Sequence, residues 1–157
     1  MNLLIADDES PKLESIAEYL ASTFPMLGME KTRSVRSTLS RVRAGNLLAV
    51  VLDMSLPTFD VGPGEKGGRA QNLGGEEVLR YMEYYDITCP VVIVTQYGYF
   101  SEGGKHITLS LVEARLRLEH PTNFEAMIHY SGSTGPAWRV ALKESIDRIF
   151  GEAANSR

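Results

Sequence analysis

A chain of 157 residues with 43% hydrophobic and 23% charged residues can bury the core of one domain, and its formal charge of −4 gives no overall pull toward nucleic acid. Its one cysteine, Cys89, excludes an internal disulfide and is expected to be a buried structural thiol beside the apolar run that follows it. No apolar run approaches the ~20 residues that a membrane-crossing helix needs, and Leu3–Ala6 is too short for a secretory signal, so the expected setting is cytoplasmic, with neither membrane nor nucleic-acid partners.

Leu3 to Ala6 runs straight into Asp7-Asp8-Glu9, a pattern that suits a strand buried on both faces. Ser10-Pro11 reads as an N-cap followed by proline in the first helical turn. Leu13, Ile16, Ala17 and Leu20 then form one apolar helix face, and Pro25 and Gly28 end the unit. Met29 to Val35 alternates as a second strand. Ser37 to Ala44 reads as a helix closed by Gly45. Arg33, Arg36, Arg41 and Arg43 gather here, as a solvated face or as a basic docking patch.

Leu47 to Leu52 is an interior strand, and Asp53 follows it at once. After Leu56-Pro57 comes a glycine-rich stretch, Thr58 to Gly75, then a helix from Glu76 to Tyr85 with Val78, Leu79 and Met82 facing inward. Pro90 to Val94 is another interior strand, ending at Thr95. The irregular stretch Gln96 to Lys105 precedes a helix expected from Ile107 to Glu119. Ala126 to Tyr130 is the last strand and 131–136 a turn. Trp138 to Phe150 is the last helix, and the tail after Gly151 is expected to fray. Strands alternating with helices imply a parallel sheet covered on both faces, with functional groups beyond the carboxyl ends of the strands. The pattern predicts one domain over 1–151 and a flexible tail over 152–157.

Asp7, Asp8, Asp53 and Thr95 all follow predicted strands, so a parallel sheet brings them to one rim. Three carboxylates close together repel and are costly to desolvate. A hard cation such as Mg2+ relieves that cost, and a carboxylate beside it can attack phosphorus. The Thr95 hydroxyl could then bond a phosphoryl oxygen. Taken singly, Asp7 reads as a helix cap and Asp53 as a strand end.

The segments LLIADDES, VVLDMSLP, GGEEVLRYM and PVVIVTQ resemble the receiver domain of two-component response regulators, in order over most of the chain. The resemblance implies an α/β, flavodoxin-like (βα)5 three-layer sandwich with parallel strand order 2-1-3-4-5. It implies that Asp53 is the phospho-acceptor, supplied by a histidine kinase or phosphotransfer protein. It implies Mg2+ bound by Asp8, Asp53 and the carbonyl of Ser55, with Asp7 assisting through water, and Thr95 as the switch hydroxyl. Receivers of this family also pair through their fourth and fifth helices, so a homodimer is one expected arrangement.

The chain departs from that pattern in several places. The family carries a lysine, then proline, at the end of the fifth strand. Aligning 125–130 as that strand puts Tyr130 and Ser131 there, with Met127 at the aromatic switch position. Gln96 follows Thr95 where a small residue is usual. Candidate replacements for the lost cation are Lys105 and an anion nest in 131–135, which includes Ser133; Lys143 lies inside the last helix. The loops after the third and fourth strands are enlarged. Gly62-Pro-Gly64-Glu-Lys-Gly67 matches G-x-G-x-x-G but follows no strand directly, so it fails as a dinucleotide fingerprint. His106, His120 and His129 lack ligand spacing.

The expected function is a stand-alone phospho-acceptor receiver whose output, through a protein the sequence does not identify, is partner binding. The alternative is a pseudo-receiver, a binding module independent of phosphorylation. A Mg2+-dependent phosphatase with an Asp53 nucleophile expects a second aspartate two residues on, where Ser55 stands. The chain is therefore not expected to be an enzyme in its own right.

Overall fold

The computed structural model describes residues 1–60, 73–133 and 135–156. In chain order the elements are β1 (Asn2–Ala6), α1 (Ser10–Thr23), β2 (Gly28–Thr32), α2 (Val35–Arg43), β3 (Leu47–Leu52), α3 (Gly74–Tyr84) and β4 (Val91–Thr95). They continue as β5 (Tyr99–Glu102), β6 (Lys105–Thr108), α4 (Leu109–Glu119), β7 (Phe124–His129) and α5 (Pro136–Asn155). Five strands form one parallel sheet in the order β2-β1-β3-β4-β7. The expected order 2-1-3-4-5 is therefore present, with β7 as the fifth strand of the sheet.

Alternation along the central strands feeds two separate cores. Leu3, Ile5, Ala49, Val51, Val92 and Val94 face α1 and α5. Leu4, Ala6, Val50, Leu52, Val91 and Ile93 face α2, α3 and α4. Both faces of β1, β3 and β4 are covered, which explains their unbroken apolar runs. The result is a three-layer sandwich. Cys89 lies at the foot of β4, buried as expected, and burial pushes its thiol up to about 12.

The structure corrects several boundaries. Gln96 to Lys105 is not wholly irregular, and the next helix does not begin at Ile107. Tyr99–Glu102 and Lys105–Thr108 form an antiparallel hairpin, with Phe100 opposite Ile107. Gly103 and Gly104 turn it with positive φ values of 56° and 78°, the twist a two-residue hairpin turn requires. Thr108 then accepts a hydrogen bond from the backbone N–H of Leu111 and caps α4. At α1 the N-cap is Glu9, and Ser10 is already helical. At α2 the cap is Ser34, in a reciprocal capping box with Ser37, so the helix starts earlier than expected and β2 stops at Thr32. The segment beyond Gly151 continues α5 through Asn155, because Ala153 still packs against the core. Residues 61–72, and with them the Gly62–Gly67 pattern, lie outside the described residues. Among the described residues no helix is long and apolar enough to cross a membrane.

Candidate functional site

The carboxyl ends of the strands are tied together by backbone hydrogen bonds. The Asp7 N–H donates to the Thr32 carbonyl (3.0 Å), Asp53 to Ala6 (2.8 Å) and Tyr130 to Thr95 (2.7 Å). Each bond fixes the residue just past one strand against the last residue of a neighbour. Asp7, Asp8 and Asp53 consequently converge, with one oxygen from each within 4.8 Å of the others. Asp7 and Asp53 are 2% and 5% exposed, and Asp8 faces solvent.

Asp7 does two things at once. Its Oδ1 accepts the Glu9 N–H at 2.9 Å, bracing the entry to α1. Its Oδ2 lies 2.7 Å from Lys12 Nζ. The helix cap read for Asp7 in the sequence is not formed, since the N-cap is Glu9 with no side-chain cap bond; Asp7 instead holds the N–H of that residue while facing the site. The Asp53 carboxylate accepts the Ser55 backbone N–H and lies 3.2 Å from the same Lys12 Nζ. A third Nζ hydrogen bond goes to the Val94 carbonyl at 2.7 Å. Lys12 is 1% exposed and, among the described residues, is the one lysine or arginine buried in the protein.

Lys12 is the residue that sequence reasoning missed. The signal was present: Lys12, Ile16 and Leu20 are spaced i, i+4, i+8, so the lysine extends the buried stripe of α1 toward the Asp7-Asp8 pair. A lysine on an apolar stripe beside an acidic strand end needs a partner, and here it has three.

Electrostatics at the site are set by burial and crowding. Burial, then the Asp53 charge, raises the Asp7 carboxyl to about 6, against the pull of Lys12. Burial also raises Asp53, with Lys12 opposing and Asp8 assisting. Asp8 is raised by partial burial and by Asp7. For Lys12, burial lowers the ammonium's range, but Asp53 and Asp7 outweigh it and the net direction is upward. Three carboxylates against one ammonium leave the site over-acidic. Clustered carboxylate oxygens with unrelieved repulsion are a donor set that fits a hard divalent cation.

The close approach of α3 locks this rim from below. The Gly75 N–H donates to the Met54 carbonyl at 2.9 Å. A Cβ on Gly75 would sit 2.7 Å from the Asp53 carbonyl oxygen, and one on Gly74 only 2.4 Å from that of Leu56. Thr95 is fully buried at the end of β4, and its Oγ1 accepts the Tyr97 N–H at 3.2 Å. Tyr130 is buried too, its ring 5.1 Å from that of Trp138 and with Lys12 Nζ 6.0 Å from its centre.

Lys105 is exposed at the start of β6, and Lys143 pairs with Asp147 on the surface of α5. In the turn before α5, Gly132 accepts from the Trp138 indole at 2.7 Å and the Ser133 carbonyl accepts from Arg139; Thr134 lies outside the described residues. Of the arginine group, Arg41 forms a two-pronged pair with Glu30, Arg33 donates to Ser10 Oγ, and Arg43 lies over the Tyr85 ring. Buried His120 gathers with Glu76 and Glu119, but Arg115 already pairs with Glu76 at 3.0 Å. His106 lies against Tyr99 in the hairpin, and His129 ends β7.

A parallel sheet of this order, with an acidic pair after its first strand and an aspartate after its central one, defines a receiver domain. No family model matches the chain. Among solved structures it is similar to a CheY-like response regulator receiver domain protein from Methanospirillum hungatei (TM-score 0.61, 16% identity, covering 96% of this chain and 97% of that one). It is also similar to the Francisella response regulator 1452 receiver domain (TM-score 0.59, 14% identity, 97% and 98%). Two curated proteins are closer in sequence. The Detocs response regulatory protein DtcB of Enterobacter cloacae is 31% identical over 151 residues, 95% of this chain and 100% of that protein. The uncharacterized protein y4jR of Sinorhizobium fredii is 32% identical over 154 residues, 94% and 100%. The chain belongs to the response-regulator receiver family.

Proposed function

We propose that this receiver takes a phosphoryl group on Asp53 from a histidine kinase or phosphotransfer protein and signals by protein–protein contact. The observation that carries this reading is the buried Asp53 carboxylate, held beside Asp7 and Asp8 at the carboxyl edge of the sheet. Asp8, Asp53 and the Ser55 carbonyl would hold Mg2+, with Asp7 assisting through water, and the bound ion would supply positive charge against the phosphoryl oxygens. An Asp53 oxygen attacks phosphorus as the donor's P–N bond breaks, and the bonding pair leaves with the donor nitrogen. The Thr95 hydroxyl turns from the Tyr97 N–H to donate to a phosphoryl oxygen. The chain modifies itself in this reaction and is not a turnover enzyme.

Tyr130 at the family's lysine position favours a second reading, a binding module independent of phosphorylation. Incubating wild type and Asp53→Ala with Mg2+ and acetyl phosphate, then measuring intact mass, separates the two. The expected result is a single adduct in wild type that Asp53→Ala lacks. A wild type that stays unmodified, and that gives no NMR response to Mg2+ with beryllofluoride, supports the second.

A further inference from the structure

We propose that Lys12, in the first turn of α1, is the cation that holds the phosphoryl group on Asp53, supplied from a helix instead of from the end of the last strand of the sheet, where the family's lysine stands. This rests on Asp53 being the acceptor.

Position comes first. Lys12 Nζ touches the ends of three strands at once, through Asp7 after β1, Asp53 after β3 and Val94 in β4. A simple partner for Asp7 would not need to reach β4. Its contact with Asp53 is the longest of the three, at 3.2 Å against 2.7 Å for the others. The Asp53 contact is therefore the one that yields, and a phosphoryl oxygen on Asp53 comes within reach of the same N–H. The other two contacts keep the ammonium in place while this happens.

Charge comes second. Three carboxylates and one ammonium leave two negative charges, which one divalent cation cancels. A lysine at position 130 would give the same count, so the charge is conserved although its source has moved. A second lysine at 130 would leave the site too positive, and Tyr130 fills that place with a ring 6.0 Å from Nζ. Burying an ammonium is costly unless it is paired, so its presence on the apolar stripe of α1 demands a return at this site.

In the transfer from acetyl phosphate, an Asp53 O–P bond forms as the donor's P–O bond breaks, and the electron pair leaves with acetate. Lys12 keeps all its protons. One N–H turns from Asp53 Oδ1 to a phosphoryl oxygen, a charge-assisted hydrogen bond.

The test uses the full chain with Mg2+ and acetyl phosphate, comparing wild type, Lys12→Met, Lys12→Gln and Lys12→Met/Tyr130→Lys. Intact mass follows adduct growth, and its decay after the donor is removed. Mg2+ titration by NMR supplies a readout that a merely structural role would move the other way. Loss of Lys12 is expected to slow labelling or shorten adduct lifetime roughly ten- to a hundredfold. It is also expected to tighten Mg2+ binding by removing a neighbouring positive charge. Tyr130→Lys should restore much of the adduct. If Lys12→Met fails to fold, Lys12→Gln, which keeps an N–H donor on the side chain without the charge, carries the comparison. Wild-type labelling rate and lifetime in a folded Lys12 variant overturn the proposal and leave the Asp53 reading standing. Weakened Mg2+ binding without recovery in the double variant also overturns it. An unmodified wild type removes the Asp53 reading itself, and the part of Lys12 with it.

Discussion

The two sides of the carboxyl rim of the sheet contrast sharply. On the β1–β3 side, Asp7, Asp8 and Asp53 stand at the positions the family pattern implies, and they converge. On the β4–β7 side, Thr95 ends β4, the buried Tyr130 follows β7 where the family pattern leads one to expect a lysine, and a hairpin rises between β4 and α4. Lys12 joins the two sides, reaching from α1 across to the Val94 carbonyl, and on the proposal above it supplies the charge that the second side lacks. The difference teaches that such a site demands a charge and a distance, and that the element supplying the charge is free to change.

The strongest way to break this contrast is to remove Lys12 without Mg2+ present. Lys12→Ala leaves buried Asp7 and Asp53 facing each other unpaired, and is expected to cost about 3–5 kcal/mol at neutral pH. Urea denaturation in a chelating buffer checks this, and added Mg2+ should recover part of the loss. Gly75→Ala tests whether the Asp53 side is as rigid as its contacts suggest. The new methyl meets the Asp53 carbonyl oxygen and Met54 Cα, both backbone atoms, so a loss of about 1–3 kcal/mol is expected from the urea midpoint.

The finest test is pH dependence. Asp7 is raised from 3.8 to about 6 in the folded protein, by burial first and by Asp53 second. A carboxyl that holds its proton more tightly when folded stabilises the fold fully below its unfolded range, and that contribution is lost as pH rises through about 6. Without divalent cations, wild type should therefore lose stability between about pH 4 and about 6 relative to Asp7→Asn. Parallel curves for the two proteins would show that the Asp7 carboxyl is not strained by its neighbours.

The sheet was legible because its central strands β1, β3 and β4 are buried on both faces, and such runs as LLAVVL and PVVIV cannot be mistaken for surface. The acidic positions were legible for the same reason, since each directly follows one of those runs. The hairpin was missed although Gly103-Gly104 is a dipeptide that favours its turn. Its strands are short and mostly exposed, so no apolar alternation marks them. Lys12 was not legible as the cation because the family pattern places one along 125–136, far from α1 in sequence. The pairing that identifies it joins residues far apart in sequence, Lys12 to Asp53 and Val94, and only folding makes those neighbours.

Cys89 has a practical consequence of its own. As the sole cysteine, buried and with a thiol pushed up to about 12, it stays largely unionised at neutral pH. A cysteine introduced at an exposed position such as Tyr99 would therefore be labelled selectively in the otherwise native background. A fluorophore or spin label there would report on the β5–β6 hairpin directly, with no need to engineer the native thiol away.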